Sequence, residues 1–483
     1  MSRTRKTGGV LIGLLVGVAP WPALTALGQV CVEEKMIASD GGPGHSLGYS
    51  AAMSIDMDGD GLVALLGSPR DDTNGERSGS AYIYRDDGSG WFEEAKLMPS
   101  DGQAGDQFGT RVAISADVAL IGTPIDPEFP RGDTGKAYIF RFDPDSSEWV
   151  EEATLLASDG ALADVFGFAV AVEGDVAVVG ARAHNHFGAD DGAAYVFRFD
   201  GTQWTAEAEL LASDGQANAF FATSVALSGD VIAVGAYKDG DDNSGSAYVY
   251  RYNGVEWVEE AKLKASDAAP GDLFGYAVDV RDDMLVVGAE EADTLAPDAG
   301  AAYVYRFDGL IWNEETKLTA SNAGTDDDFG TAVSIGNGGD VIAVGAYGQA
   351  HHSGSTYLFR FDGNKWNEEF ELVAADGEPN DSFGMDVHII GDMVLVSANL
   401  DDNENGPRAG AVYGFTMCPN DVPCEGDVNG DSMVDPLDSG FVLARFGCLV
   451  KGDPDCEAAD ANGDGVVDPL DAGFVLARFG ECG

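Results

Sequence analysis

The sequence predicts an all-β fold: a seven-bladed β-propeller of four-stranded antiparallel blades closed by its N-terminal strand, with a small α-helical domain behind it. Three observations carry this. A unit of about fifty-five residues recurs seven times. Each unit divides into four short strand-like runs of falling burial. The last unit lacks its fourth run, and a segment like that run stands at the other end of the chain.

The repeat is marked by Gly48, Gly109, Gly167, Ala222, Gly275, Gly330 and Gly384, at spacings of 61, 58, 55, 53, 55 and 54. Phe precedes each marker except the first, where Leu47 stands. Seven residues earlier lies Asp40, Asp101, Asp159, Asp214, Asp267, Asn322 or Asp376, an interval that never varies. Within a unit the first run is short, as in Tyr276 to Val280. The second is continuously apolar, Val231-Ile232-Ala233-Val234, which suits a strand buried on both faces. The third, Ala247 to Tyr252, is rich in Tyr and Val, which favour strand. The fourth starts at a Trp, as in Trp257-Val258-Glu259-Glu260-Ala261-Lys262-Leu263, and is polar as an exposed edge must be. A β-solenoid would have shorter repeats and fewer hairpins, and ranks second.

Six of the seven Trp open fourth runs: Trp91, Trp149, Trp204, Trp257, Trp312 and Trp366. The seventh unit stops near Cys418. Cys31-Val32-Glu33-Glu34-Lys35 matches Trp257 to Ala261, so the N-terminal segment is expected to complete the last blade. Cys31 then takes the Trp position, and Cys418 falls in the hairpin facing it. A Cys31–Cys418 disulfide would staple the ring, worth on the order of 5 kcal/mol for so long a loop.

The constant Asp-to-Phe loop joins the outer strand of one blade to the inner strand of the next. The loops between second and third strands vary and share its face. They include Asp71-Asp72-Thr73-Asn74-Gly75, Asp239-Gly240-Asp241-Asp242-Asn243 and Asp401-Asp402-Asn403-Glu404-Asn405, an acidic face where recognition is expected.

The Phe-Gly and Gly-Ala pairs, as in Phe166-Gly167 with Gly180-Ala181, resemble FG-GAP repeats, the blades of integrin α-subunit propellers. The resemblance covers residues 31–417 and implies a binding or adhesion module, with a glycan or protein ligand on the propeller loops. Many such repeats carry a calcium loop between first and second strands. Here only the first blade has an insertion there, Asp56-Met57-Asp58-Gly59-Asp60-Gly61. Asp56, Asp58 and Asp60 form an incomplete set of oxygen ligands, with no acidic residue at the later position.

Residues 1–28 read as a secretory signal: Arg3, Arg5 and Lys6, an apolar Val10 to Val18, and Ala26-Leu27-Gly28 as the cleavage site. A secreted, extracellular or cell-surface protein is expected, and the even count of 6 Cys fits an oxidising compartment. The run is short for a membrane span and none follows it. Lys+Arg number 27 against 83 Asp+Glu, a formal charge of -56, which excludes nucleic acid and anionic membranes as partners.

The propeller is assigned to 29–417 and a linker to 418–424. Residues 425–483 hold two near-identical segments, 33 residues apart. Asp427, Asn429, Asp431, Asp435 and Asp438 occupy positions 1, 3, 5, 9 and 12 of a calcium loop, with the Met433 carbonyl at 7. Asp460, Asn462, Asp464, Asp468 and Asp471 repeat the set with the Val466 carbonyl. Hard oxygens at these intervals wrap one Ca²⁺, and metal should drive the folding of so acidic a module. Each loop is EF-hand-like but ends in Asp instead of Glu. A short helix follows, with Leu437, Phe441 and Ala444 on one face and Leu470, Phe474 and Ala477 on the other copy's. A duplicated loop plus following helix resembles a type I dockerin, which implies docking to a cohesin-like partner or surface scaffold. Pro436-Leu437 and Pro469-Leu470 replace the small polar pair common in cellulosomal dockerins. Cys424, Cys448, Cys456 and Cys482 are expected to clip the module; Cys448–Cys456 with Cys424–Cys482 is one of the possible pairings.

Other signals are weaker. Arg131-Gly132-Asp133 is a short tripeptide in a chain rich in Gly and Asp. His184 and His186 with Asp190 and Asp191, and His351-His352, occupy equivalent loops of blades three and six; without a third ligand at fixed spacing they read as solvated loop histidines. No catalytic set stands out, so a non-enzymatic binding protein ranks first. A polysaccharide hydrolase carried on the tail ranks second. Peptide mapping without reduction should find Cys31 joined to Cys418; Cys418 joined to Cys424 would overturn that closure.

Overall fold

The computed structural model describes residues 30–57, 59, 61–124 and 134–417. It contains seven four-stranded antiparallel sheets. Blade one comprises Ala51–Ile55, Leu62–Ser68, Ser80–Asp86 and Trp91–Leu97. Blades two to six follow in chain order, each a simple meander. Blade seven takes Phe383–Ile390, Met393–Ala398 and Ala411–Met417, and its outermost strand is Val30–Met36. The N-terminal strand closes the ring, as the missing fourth run requires.

The closing register differs from the sequence match by one place. Aligned on Cys31, Lys35 would stand where Ala261 does. Instead its ammonium binds Asp376 at 2.7 Å and Asp401 at 2.8 Å, as Lys262 binds Asp214 and Asp239 in blade four. Counted from Asp40, the strand is one residue shorter than the match assumed. The ion pair and the apolar Met36, 3% exposed, fix the register more strongly than a run of glutamates does.

Burial falls outwards as the patterning requires. In blade four Val231–Ala236 is buried throughout, whereas Trp257–Leu263 alternates. The paired glutamates have a specific cause. Val249 pairs with Ala261 and Tyr250 with Glu259, so Glu260 is the extra residue of a β-bulge. The same shift recurs in blades one, two, three, five and six. Glu259 accepts the backbone N–H and hydroxyl of Ser213 at 2.9 and 2.7 Å. Glu260 accepts from Arg251 in its own blade and from the Trp312 indole of the next, at 2.9 and 3.1 Å. One bulge thus turns two neighbouring carboxylates to two different jobs.

Blades meet through backbone. Gly235, in the Gly-Ala pair of blade four, lies so near the Gly275 carbonyl oxygen of blade five that a Cβ would overlap it. Gly275 itself has φ +96 and its own Cβ would strike the Ser246 carbonyl. The same approach joins Gly67 to Gly109, Gly288 to Gly330 and Gly345 to Gly384. At Ala222 the marker glycine is absent, yet the backbone keeps φ 65, which an L side chain resists.

Gly235→Ala should therefore cost at least about 2–3 kcal/mol by overpacking, read from the midpoint and slope of guanidinium unfolding. Ala222→Gly should gain about 0.5–1 kcal/mol by relieving the positive φ. An unchanged midpoint for Gly235→Ala would mean the blades can part at no cost.

Candidate functional site

The residue after each Gly-Ala pair leaves the second strand beside the central axis, on the face of the long loops. There the seven blades stop being equivalent. The position is Arg182 in blade three, Tyr237 in blade four, Glu290 in blade five and Tyr347 in blade six. The inner strands surround a central cavity of about 600 Å³, whose lining includes Tyr49, Arg111, Phe168, Arg182, Tyr237 and Tyr276.

One side of this mouth is cationic and aromatic. The Arg182 guanidinium sits 3.7 Å from the centroid of the Phe168 ring. Arg111 lies 5.3 Å from the same ring and 5.6 Å from Tyr49. Lys238 lies 5.2 Å from Tyr237 and 5.4 Å from Phe220. Burial pulls the Arg182 pKa below its ordinary value, and the like charge of Arg111 adds to this. Among the described residues its leading charge neighbours are tyrosines and Arg111, not carboxylates. In a chain of net charge -56, a desolvated guanidinium held by rings alone is a group kept for something else.

Beside Tyr276, outside that lining, lies a carboxylic cluster. Glu290 is 8% exposed, and its Oε2 has no hydrogen-bond partner. Burial, then the charge of Asp328, pushes its carboxyl up to about 8. Asp328 is itself raised to about 6 by burial, against a hydrogen bond from Tyr347. The Tyr347 ring stacks on His352 at 6.1 Å and 28°. Beside it Ala350, His351 and His352 hold φ of 50, 64 and 64. Three successive non-glycine residues at positive φ store strain that the surroundings must impose, a feature that clusters at functional sites.

The acidic loops themselves are built differently from expectation. Asp71, Asp239 and Asp401 are buried at 0%, 1% and 1%. Burial alone would raise Asp71, but hydrogen bonds from Lys96 and Thr73 overcome it and hold the carboxyl at about 2. Asp239 accepts from Ser246 at 2.6 Å, and Asp401 from Tyr413 at 2.8 Å. Asp72 and Asp402 accept the backbone N–H of Arg77 and Arg408 within their own loops. These carboxylates fold the loops and are not free for a ligand. Asp56 is also spoken for: it accepts the N–H of Gly59 at 2.9 Å and pairs with Arg85 at 3.1 Å. It does the work of Asp117 for Arg141 and of Asp230 for Arg251.

His184 is buried, not solvated, and packs against Asp164; Asp191 caps the turn at His186 and Phe187, while Asp190 donates its backbone N–H to Asn185. Asp58 and Asp60, Arg131-Gly132-Asp133, the loop residues Asp427 to Asp438 and Asp460 to Asp471, and Cys418, Cys424, Cys448, Cys456 and Cys482 lie outside the described residues. Among the described residues no helix is long and apolar enough to cross a membrane. The mouth went unread in the sequence, although one signal was available: the residue after the Gly-Ala pair differs between blades three, four and five, as Arg182, Tyr237 and Glu290.

The raised Glu290 pKa makes stability depend on pH. Its folded pKa lies above the ordinary 4.5, so the folded chain binds more protons than the unfolded chain between pH 4.5 and about 8. Stability is full below that window and falls as pH rises through it, by up to about 5 kcal/mol. Glu290→Gln should flatten that part of the pH–stability curve, measured by guanidinium unfolding between pH 5 and 8. An identical slope in the variant would remove Glu290 as the buried acid.

Residues 425–479 match the Dockerin type I domain. No curated protein matches the chain. Among solved structures, one described as the crystal structure of RRP9 WD40 repeats superimposes with a TM-score of 0.49 at 9% identity, covering 81% of this chain and 99% of that one. The FG-GAP repeat matches seven times, at residues 32–84, 91–140, 149–197, 204–250, 257–305, 312–359 and 366–415, in step with the seven blades. By that match, which spans most of its length, the chain belongs to the FG-GAP repeat family.

Proposed function

We propose that this is an exported, non-enzymatic binding protein whose propeller takes its ligand at the central mouth and whose C-terminal module docks it to a partner protein. One observation carries the ligand reading: the desolvated Arg182 guanidinium, stacked on Phe168 at 3.7 Å with no carboxylate paired to it among the described residues. A guanidinium over a ring, flanked by Arg111, Tyr49 and Tyr276, suits a ligand with a flat apolar face and a negative group, such as an acidic sugar. The acidic outer surface would repel anions and leave the cationic mouth to attract this one.

The tail reading rests on the Dockerin type I match and on the ligand spacing. Asp427, Asn429, Asp431, Asp435 and Asp438 with the Met433 carbonyl, and Asp460, Asn462, Asp464, Asp468 and Asp471 with the Val466 carbonyl, would each hold one Ca²⁺. Calcium would order the module and so permit docking to a cohesin-like domain or surface scaffold. The basic and apolar start of the chain supports export, and disulfides among the six Cys would suit that compartment.

A second reading, a polysaccharide hydrolase, draws on Glu290 and Asp328. Their pKa values of about 8 and about 6 would leave one carboxyl protonated and its neighbour ionised near neutral pH, the division of labour that glycoside hydrolysis uses.

The test is a glycan array of acidic and neutral oligosaccharides, with a hydrolysis assay alongside. Acidic glycans should bind, and Arg182→Met should weaken them by about ten- to a hundredfold. Chelator should abolish capture by an immobilised cohesin and leave glycan binding in place. Equal binding by Arg182→Met would sink the mouth as the site; turnover that disappears in Glu290→Gln would establish the hydrolase.

A further inference from the structure

Each blade builds the same small cluster under its outer loop, and blade three builds it with the wrong charges. Elsewhere the cluster has a conserved logic of charge. The Asp of the constant loop accepts a hydrogen bond from the third-strand Tyr and pairs with a Lys. In blade four Tyr248 and Lys262 meet Asp214 at 2.9 and 2.7 Å, and Lys262 also meets the buried Asp239 at 2.7 Å. Blade one has Tyr82, Lys96, Asp40 and Asp71. Blade seven has Tyr413, Lys35, Asp376 and Asp401. Blade five pairs Lys317 with Asp267, and blade two supplies Lys136 to Asp101 from the third strand. Blade six loses the Lys to Glu371 but also loses the acid, since Asn322 replaces it and takes the Tyr357 hydroxyl at 2.7 Å.

Blade three keeps the acid and loses the cation. Asp159 accepts from Tyr195 at 2.9 Å, but Glu209 stands at the Lys position. His184 stands where Asp71, Asp239 and Asp401 do. The buried Asp164 lies 3.0 Å from His184 Nδ1. That contact makes Nδ1 the donor and leaves the lone pair on Nε2. Nε2 then lies 3.8 Å from Asp159 Oδ2 and 3.8 Å from Glu209 Oε1. These gaps are too wide for hydrogen bonds, but they suit an ion held by bonds of about 2.1 Å on each side. The loop brings in a further imidazole: ligand atoms of His184, His186 and Glu209 all lie within 4.8 Å of one another.

We propose that blade three binds a divalent transition-metal ion, Zn²⁺ being the best fit, through His184 Nε2, His186 and Glu209. Asp159 Oδ2, 3.8 Å from His184 Nε2, stands at the edge of this set. Asp164 acts from behind the site, fixing the tautomer and orientation of His184 as carboxylates do behind metal-bound imidazoles. The ion takes the electrostatic place of the lysine found in the other blades. Two imidazoles with carboxylate oxygens select zinc over calcium or magnesium, which prefer all-oxygen sites.

Zn²⁺ titration calorimetry on the full chain, free of any histidine tag and with Ca²⁺ saturating, tests this. The wild type should show one micromolar-or-tighter site and a Zn²⁺-dependent rise in Tm; Mg²⁺ should give neither. Glu209→Lys restores the cation of the neighbouring blades, so it should abolish that site while the metal-free chain keeps or gains Tm. His186→Ala, at an exposed position, should fold normally and weaken Zn²⁺ at least about tenfold. Zn²⁺ binding that is absent, or equal in wild type and Glu209→Lys, would overturn the proposal and leave His184 and Glu209 as a charge-swapped ion pair.

Discussion

The rest of this structure depends on how closely two backbones can approach between blades. The Gly-Ala glycine of one blade lies against the Phe-Gly carbonyl of the next. A second line of contact runs parallel to it, where Gly79, Gly135, Gly245, Gly300 and Gly354 bridge to Phe108, Phe166, Phe274, Phe329 and Phe383. Neither line leaves room for a Cβ. Once the backbones are locked, the Phe ring has one place to go. Phe274 meets Tyr303 and Tyr305 edge-on at 5.4 and 6.1 Å, and is fully buried. Tyr303 then offers its hydroxyl to Asp267 at 2.8 Å. The invariant seven-residue interval between that Asp and the Phe is the distance between two contacts on one tyrosine. It is a packing constraint, which is why variation is excluded from it.

Charge is balanced locally in this propeller despite the large net excess. In blades one to five the bulge glutamate meets an arginine of its own blade and a tryptophan of the next, as Glu152 meets Arg141 and Trp204. The loop aspartates meet lysines or their own turn amides. Most of these pairs are half-exposed, so each contributes little. Their larger effect is on specificity, since a shifted register would leave a buried carboxylate such as Asp71 or Asp239 without its lysine. The same logic decided the closing strand, where Lys35 reaches Asp401 at the expense of the apparent match at Cys31.

The architecture was legible because it is periodic. Blade count, strand order and the N-terminal closure all follow from seven copies of one pattern, and errors in one copy are corrected by the others. The site was less legible for the same reason. A carboxylate in a loop reads alike whether it faces water, as most do, or is buried like Asp71 beneath Lys96. Counting acids marked the variable loops as the recognition face; solvent access, which depends on the fold, turned several of those acids inward. Likewise His184 and His186 had no third partner in the sequence. Glu209 comes from another strand, and only the pairing of Ala194 with Leu210 and Tyr195 with Glu209 brings it beneath the loop.

What distinguishes the mouth from the loops around it is preorganisation. A lysine on a surface loop surrenders rotamer freedom when it meets an anion, and that loss offsets much of the attraction. Arg182 has already surrendered it, because Phe168 and the neighbouring Arg111 leave its guanidinium little room to turn. The desolvation that raises the energy of the free guanidinium is relieved only when a negative group arrives. The position also escapes the blade-to-blade packing, since it follows the last residue locked by the glycine contact. A symmetric scaffold can be varied there blade by blade, from Arg182 through Tyr237 to Glu290, without disturbing the ring that holds them.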